Sequence, residues 1–225
     1  MSHSVSEHLG IDLGEYDSLI RRYIRAYDEM LDSAVDAVLG SGMLERVLDL
    51  GAGTGALAEK LLERHPTCTV ELWDVDPQMI QRAQARLERF GQRVRVREAS
   101  FFEVDGTADA AMASLSLHHV HDLGEKAALY REFYSALRSG GTLAIADITI
   151  STDLEDAQAE WEIWANHQVA QGFTKEQAWR HFDDWAQEDR YFSQNQELSA
   201  LREAGFDADT FWRAEPSTVL VGARP

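Results

Sequence analysis

The chain has 225 residues, 44% hydrophobic and 27% charged, a globular composition long enough for one large core with an insertion. A net charge of −18 disfavours a nucleic-acid partner, because affinity for phosphate chains comes from Lys and Arg displacing counterions. A single cysteine, Cys68, excludes intrachain disulfides and a Cys-based zinc site.

No segment approaches the ~20 apolar residues that cross a bilayer. "MSHSVSEHLG" lacks the basic-then-apolar pattern of a secretory leader, so the expectation is a cytoplasmic protein off the membrane. In chain order, apolar residues from Leu19 to Val38 follow a helical period, predicting one helix over 17–39 that stops at "GSG". "RVLDL" reads as a buried strand, and Thr54–His65 as a helix ended by Pro66. "TVELWD" is a strand, and Pro77–Phe90 a helix with proline in its first turn. "RVRVRE" and "DAAMASLSL" are strands, Leu123–Arg138 a helix, and "GTLAIADITI" a buried strand. Residues 152–190 then read as two helices with no strand between them. A helix over Gln194–Ala204 precedes two closely spaced strands, "DTFWRA" and "TVLVGA", expected to pair antiparallel. The fold class is α/β: a seven-stranded, mostly parallel, doubly wound sheet with an antiparallel C-terminal edge strand, an N-terminal helix and a helical lid insertion. The expected units are a helical cap (1–42), an α/β core (43–150), the insertion (151–192) and a C-terminal helix and strands (193–225).

"VLDLGAGTG" puts a glycine-rich turn between a buried strand and a helix, where backbone can approach a ligand closely. Its G-x-G-x-G spacing differs from the G-x-G-x-x-G of pyrophosphate binding. Asp74 at the tip of the next strand suits both hydroxyls of a ribose, while Asp76 suits the N-cap of the following helix. Arg82, Arg86, Arg89, Arg93, Arg95 and Arg97 form a basic run, read as a solvated face in preference to a phosphate track.

With "WDVDPQMI", "SLSLHHV" and "ALRSGGTLAIAD" added, the sequence resembles the class I S-adenosylmethionine-dependent methyltransferases over residues 45–225. The resemblance implies S-adenosylmethionine as cofactor, S-adenosylhomocysteine as product, and a small-molecule acceptor methylated at O or N. It also implies roles for particular residues. Gly51, Gly53 and Gly55 would border the methionine half, with Asp49 orienting it and Tyr27 approaching its end. Asp74 would hold the ribose, Met79, Ser100 and Phe101 the adenine, and Ser116 the floor near the sulfonium. The family usually has an acid where Ser100 stands, a departure that weakens the adenine contact.

A base is needed only for an acceptor protonated at working pH. The candidates are His119, slightly ahead, then His118 and Asp147, with His167 on the insertion. On an extended segment adjacent His118 and His119 point opposite ways, so no metal site is expected, although His119, His121 and Asp122 form a possible cluster. Trp161, Trp164 and His167 are candidates for an acceptor-binding wall, against a reading of simple helix packing. A homodimer is left open. The alternatives are a relative of the carboxy-S-adenosylmethionine synthases of tRNA wobble modification, needing an arginine such as Arg21, Arg22 or Arg25 at the cofactor, or a non-catalytic cofactor-binding protein.

Overall fold

The computed structural model describes residues 15–225. The segment read above for a leader, and the start of the expected cap, lie outside the described residues. Seven strands form one sheet in the order β3-β2-β1-β4-β5-β7-β6. They are β1 (Arg46–Leu50), β2 (Thr69–Asp74), β3 (Val94–Glu98), β4 (Ala108–Ser114), β5 (Leu137–Ile148), β6 (Asp207–Ala214) and β7 (Ser217–Ala223). The first five are mutually parallel, and β7 pairs antiparallel with both β5 and β6. The antiparallel pair thus closes one edge, with β7 inside it and β6 at the rim running in the common direction.

Alternation along the strands sends successive side chains into two separate cores. Val47, Ala110, Met112, Ala144 and Ala146 join one; Leu48, Ala111, Ala113, Leu143 and Ile145 join the other. On the first face lie α1 (Tyr16–Tyr23), α2 (Tyr27–Leu39), α3 (Ala56–Arg64), α4 (Pro77–Leu87) and the insertion helices α6 (Leu154–Ala170) and α7 (Lys175–Trp185). On the second lie α5 (Leu123–Ala136) and α8 (Gln194–Glu203). Among the described residues no helix is long and apolar enough to cross a membrane.

The single N-terminal helix expected from periodicity is two. The chain breaks after Tyr23, and Ala26 adopts a left-handed backbone (φ 53°) before α2 begins. Tertiary partners take the carbonyls that the break releases: Trp164 Nε1 donates to Tyr23 O at 2.7 Å, and Ser217 Oγ to Arg25 O at 2.5 Å. The helix starts follow their capping residues. Asp76 accepts from the Gln78 amide at 2.8 Å ahead of Pro77, and Asp122 caps α5 through the Gly124 and Glu125 amides. The arginine run is largely tied to carboxylates and carbonyls. Arg89 meets Glu59 and Glu63, Arg93 the carbonyls of Leu62 and His65, and Arg97 Glu71.

Candidate active site

Two cavities open beyond the carboxyl ends of β1, β2, β4 and β5, the position where parallel sheets bind ligands. The larger, about 320 Å³, runs from the glycine turn past Asp74 and Met79 to Ser100, Phe101 and Phe102. The smaller, about 70 Å³, is walled by Ile20, Tyr23, Ile24, Ile148, Trp185 and Tyr191, with His118, His119 and Asp189 as its polar groups. Tyr16, Leu115 and His119 line both.

The three glycines of the turn have different duties. Gly51 (φ 73°) faces Ser116 so closely that an added Cβ would lie 2.4 Å from the Ser116 Cβ. At Gly53 (φ 54°) an added Cβ would meet nothing within 4 Å and would project into open space at the cradle. Gly55 lies outside the cavity lining; its missing Cβ makes room for Leu87 and Ala83 of α4.

Asp74 stands at the cavity wall, its Oδ2 accepting from the Gly53 amide at 2.7 Å and its Oδ1 from the Asp76 amide at 2.8 Å. Burial raises its pKa despite those bonds. Asp49, near the end of β1 and just ahead of the turn, is fully buried and lies outside the cavity lining. Burial, then the charge of Asp74, push its pKa up to about 7. Ser116 lines the cavity, but its hydroxyl is committed to the Leu50 carbonyl at 2.8 Å. Ser100 likewise spends its Oγ on the Phe102 amide, capping a short turn. Tyr27 lines the cavity from α2, and Tyr16 from α1, and burial raises both phenol pKa values. A clasp holds α1 over the glycine turn: Asp17 accepts from Thr54 Oγ1 at 2.8 Å and pairs with Arg86, whose guanidinium also donates to Thr54.

The loop after β4 does what the sequence reading did not anticipate. Leu115 takes a left-handed backbone (φ 48°), and Leu117–His119 follow as a 3-10 turn. Because the segment is wound, not extended, His118 and His119 turn the same way, with ring centroids 4.4 Å apart. Asp147, at the end of β5, lies behind them. Its Oδ2 accepts from the Leu117 and His118 amides at 3.2 Å each, and its Oδ1 lies 2.6 Å from His118 Nδ1. Burial would lower the His118 pKa, but Asp147 and Asp189 beside it reverse the sign and raise it. Burial would raise that of Asp147, and His118 and Lys126 reverse this too. Behind Asp147, the Lys126 ammonium pairs with Glu197, whose other oxygen accepts from Tyr130 at 2.6 Å. His121 instead faces the Glu188 carbonyl, and Asp122 is the helix cap.

Trp161, Trp164 and His167 line neither cavity. Trp164 is fully buried, stacked on Trp161 at 5.4 Å, and His167 faces the Arg21 carbonyl at 3.1 Å. Helical spacing identified the aromatic stripe correctly but not the member that reaches the cavity, which is Trp185. Asp189, Tyr191 and Tyr16 escaped the sequence reading because no local motif marks them. The three arginines considered for a cofactor carboxylate are engaged elsewhere: Arg21 with Asp28, Arg22 with the Gln171 carbonyl, Arg25 with the Glu215 carbonyl. None lines either cavity.

Residues 47–141 match the family model of the methyltransferase domain. Over those residues the chain carries a methyltransferase domain. The domain is similar to the biotin biosynthesis bifunctional protein BioHC of Teredinibacter turnerae, at 27% identity over 85% of this chain and 31% of that protein. It is also similar to acetylserotonin O-methyltransferase of Gallus gallus, at 32% identity over 58% of this chain and 38% of that protein. The chain therefore spans about a third of the length of these curated relatives. Its fold superposes on an O-methyltransferase family protein from Burkholderia thailandensis with a TM-score of 0.70, at 21% identity, over all of this chain and 64% of that one.

The larger cavity offers groups of its own that suit S-adenosylmethionine. A cationic sulfonium with an ammonium group suits, by charge, the buried Asp49 carboxylate two residues before Gly51. The open side of Gly53 admits the ligand backbone, and Asp74 presents its carboxylate at the cavity wall.

Proposed function

We propose that the protein transfers the methyl group of S-adenosylmethionine to an oxygen atom of a small organic acceptor. The observation that carries this is the junction of the two cavities at Tyr16, Leu115 and His119. The larger has the size and groups for the donor, and the smaller opens where the methyl group would be presented. The cofactor, when bound, supplies an electrophilic methyl on a sulfonium, which an acceptor lone pair displaces in line.

In this reading Asp74 holds the ribose hydroxyls, Met79 and Phe101 flank the adenine, and Asp49 places a negative charge under the cationic half. Tyr27 closes the methionine end, and Leu115 and Ser116 form the floor. Catalysis is then largely alignment and exclusion of water. A cavity of about 70 Å³ takes the reacting end of an acceptor and not the whole of it, and its aromatic wall favours a flat, apolar end. Oxygen is favoured because proton-accepting groups gather there. His118, held by Asp147 at Nδ1, offers Nε2 to the acceptor hydroxyl, and His119 stands at the junction. The similarity to the chicken acetylserotonin O-methyltransferase points the same way.

Calorimetry with S-adenosylmethionine and S-adenosylhomocysteine, followed by product mass spectrometry across phenols, enols and carboxylic acids, tests the proposal. Micromolar donor binding and a mass gain of one methyl group on an oxygen acceptor are expected. Absence of heat with both cofactor forms would sink it.

A further inference from the structure

The turn after β4 and the segment after α7 bring together donor atoms that the sequence keeps far apart. One ring nitrogen each of His118 and His119 and one carboxylate oxygen of Asp189 lie within 4.8 Å of one another. Asp189 Oδ1 is 3.3 Å from His119 Nδ1 and 3.7 Å from His118 Nε2. Metal–ligand bonds of about 2.0–2.1 Å in a tetrahedron set neighbouring donors roughly 3.4 Å apart. The two separations bracket that edge.

Two of the three donors are also aimed by a second group, while His119 Nδ1 lies 3.3 Å from the Glu188 carbonyl. Asp147 holds His118 at Nδ1, which turns Nε2 towards Asp189. The Tyr191 hydroxyl donates to Asp189 Oδ2 at 2.5 Å, which leaves Oδ1 directed at the histidines. Carboxylate-to-histidine support of this kind is how metal sites fix ring orientation.

We propose that His118 Nε2, His119 Nδ1 and Asp189 Oδ1 bind a divalent transition-metal ion of the zinc type, with its open positions facing the smaller cavity. Two imidazoles and one carboxylate suit zinc or cobalt, whereas magnesium and calcium prefer all-oxygen shells. The inference deepens the proposed function and rests on it only for the acceptor. The acceptor oxygen occupies an open position, its O–H bond breaks, and the proton leaves to solvent. An oxygen lone pair then forms the O–CH3 bond as the S–CH3 bond breaks, releasing S-adenosylhomocysteine. The ion takes over the deprotonation that His118 performs in its absence.

The test uses the full chain, stripped with a chelator, titrated with Co²⁺ and then with Zn²⁺ in competition. One equivalent of cobalt should give the visible ligand-field bands of a four- or five-coordinate site, displaced by one equivalent of zinc. His119→Ala and Asp189→Asn should abolish the bands. Tyr191→Phe, which removes only the supporting hydroxyl, should weaken affinity about 10- to 100-fold. Tyr191→Phe also keeps the test decisive where Asp189→Asn does not fold, with circular dichroism as the check. Failure of the unaltered chain to bind one equivalent overturns the site, as does unchanged affinity in His119→Ala. Donor calorimetry on the same samples separates the two readings. Metal bound without donor binding overturns methyl transfer alone, and donor bound without metal overturns the metal site alone.

Discussion

The two cavities meet at three residues yet are assembled in different ways. The larger is built mainly from loops that directly follow strands, with the glycine turn after β1, Asp74 at the tip of β2 and Ser100–Phe102 after β3, and is closed by Tyr16, Tyr27 and Met79 from helices. The smaller draws its wall from α1, the turn after β4, the last residue of β5 and the stretch after α7. The first is local in sequence and written on the sheet; the second exists only after the insertion has docked. Under the proposed function, donor recognition falls on the sheet's own loops and acceptor recognition on the docked insertion and α1.

The sharpest way to break this contrast is to disturb the acceptor side from behind. Lys126→Met leaves the buried Glu197 with the Tyr130 hydroxyl but without its counter-charge, so denaturant unfolding should show a loss of about 3 kcal/mol. The double variant Lys126→Met with Glu197→Met should recover most of it. If the single variant unfolds like the parent, the buried pair has no structural weight.

On the cofactor side, Gly51→Ala forces a Cβ against Ser116 from a left-handed backbone and should cost about 2–4 kcal/mol. Gly53→Ala meets no neighbour, so it should cost only about 1–2 kcal/mol while depressing donor affinity more than stability. Equal effects on stability and affinity at the two positions would erase the distinction between packing glycine and cradle glycine. Asp74→Ala should weaken donor binding by about 1.5–3 kcal/mol, roughly ten- to a hundredfold in calorimetry.

Asp49 supplies a pH signature. Its folded pKa, up to about 7, lies above the ordinary carboxylate value, so between about pH 4 and 7 the folded chain holds a proton that the unfolded chain has lost. Without ligand, its contribution to stability therefore falls as pH rises through that window, and Asp49→Asn should flatten the slope. A cationic donor favours the ionised form, so affinity should rise by up to about tenfold per pH unit and level off above 7. A flat binding profile across that range would remove Asp49 from the donor site. The smallest effect belongs to His167→Gln, with stability within about 0.5 kcal/mol and acceptor KM unchanged, whereas Trp185→Ala should raise that KM.

The strands themselves were legible because they are short apolar runs bounded by glycine, proline or capping acids, as at Asp76–Pro77. The glycine turn and Asp74 were legible because their chemistry is local. The histidine pair was visible as residues but not as geometry, since nothing in "SLSLHHV" announces that Leu115 turns left-handed and winds the next residues. Periodicity also carried α1 into α2, because a helix break upheld by Trp164 and Ser217 leaves no mark in local sequence. Asp189 and Tyr191 follow a helix with no turn signature and gain meaning only from what they face.

The helix α1 deserves a last consequence. Its Tyr16 lines both cavities, Asp17 latches it to Thr54 and Arg86, and it joins α2 through Ala26 in a left-handed conformation. One short helix therefore walls two cavities at once, and a single polar cluster at Asp17 ties that shared wall to the glycine turn.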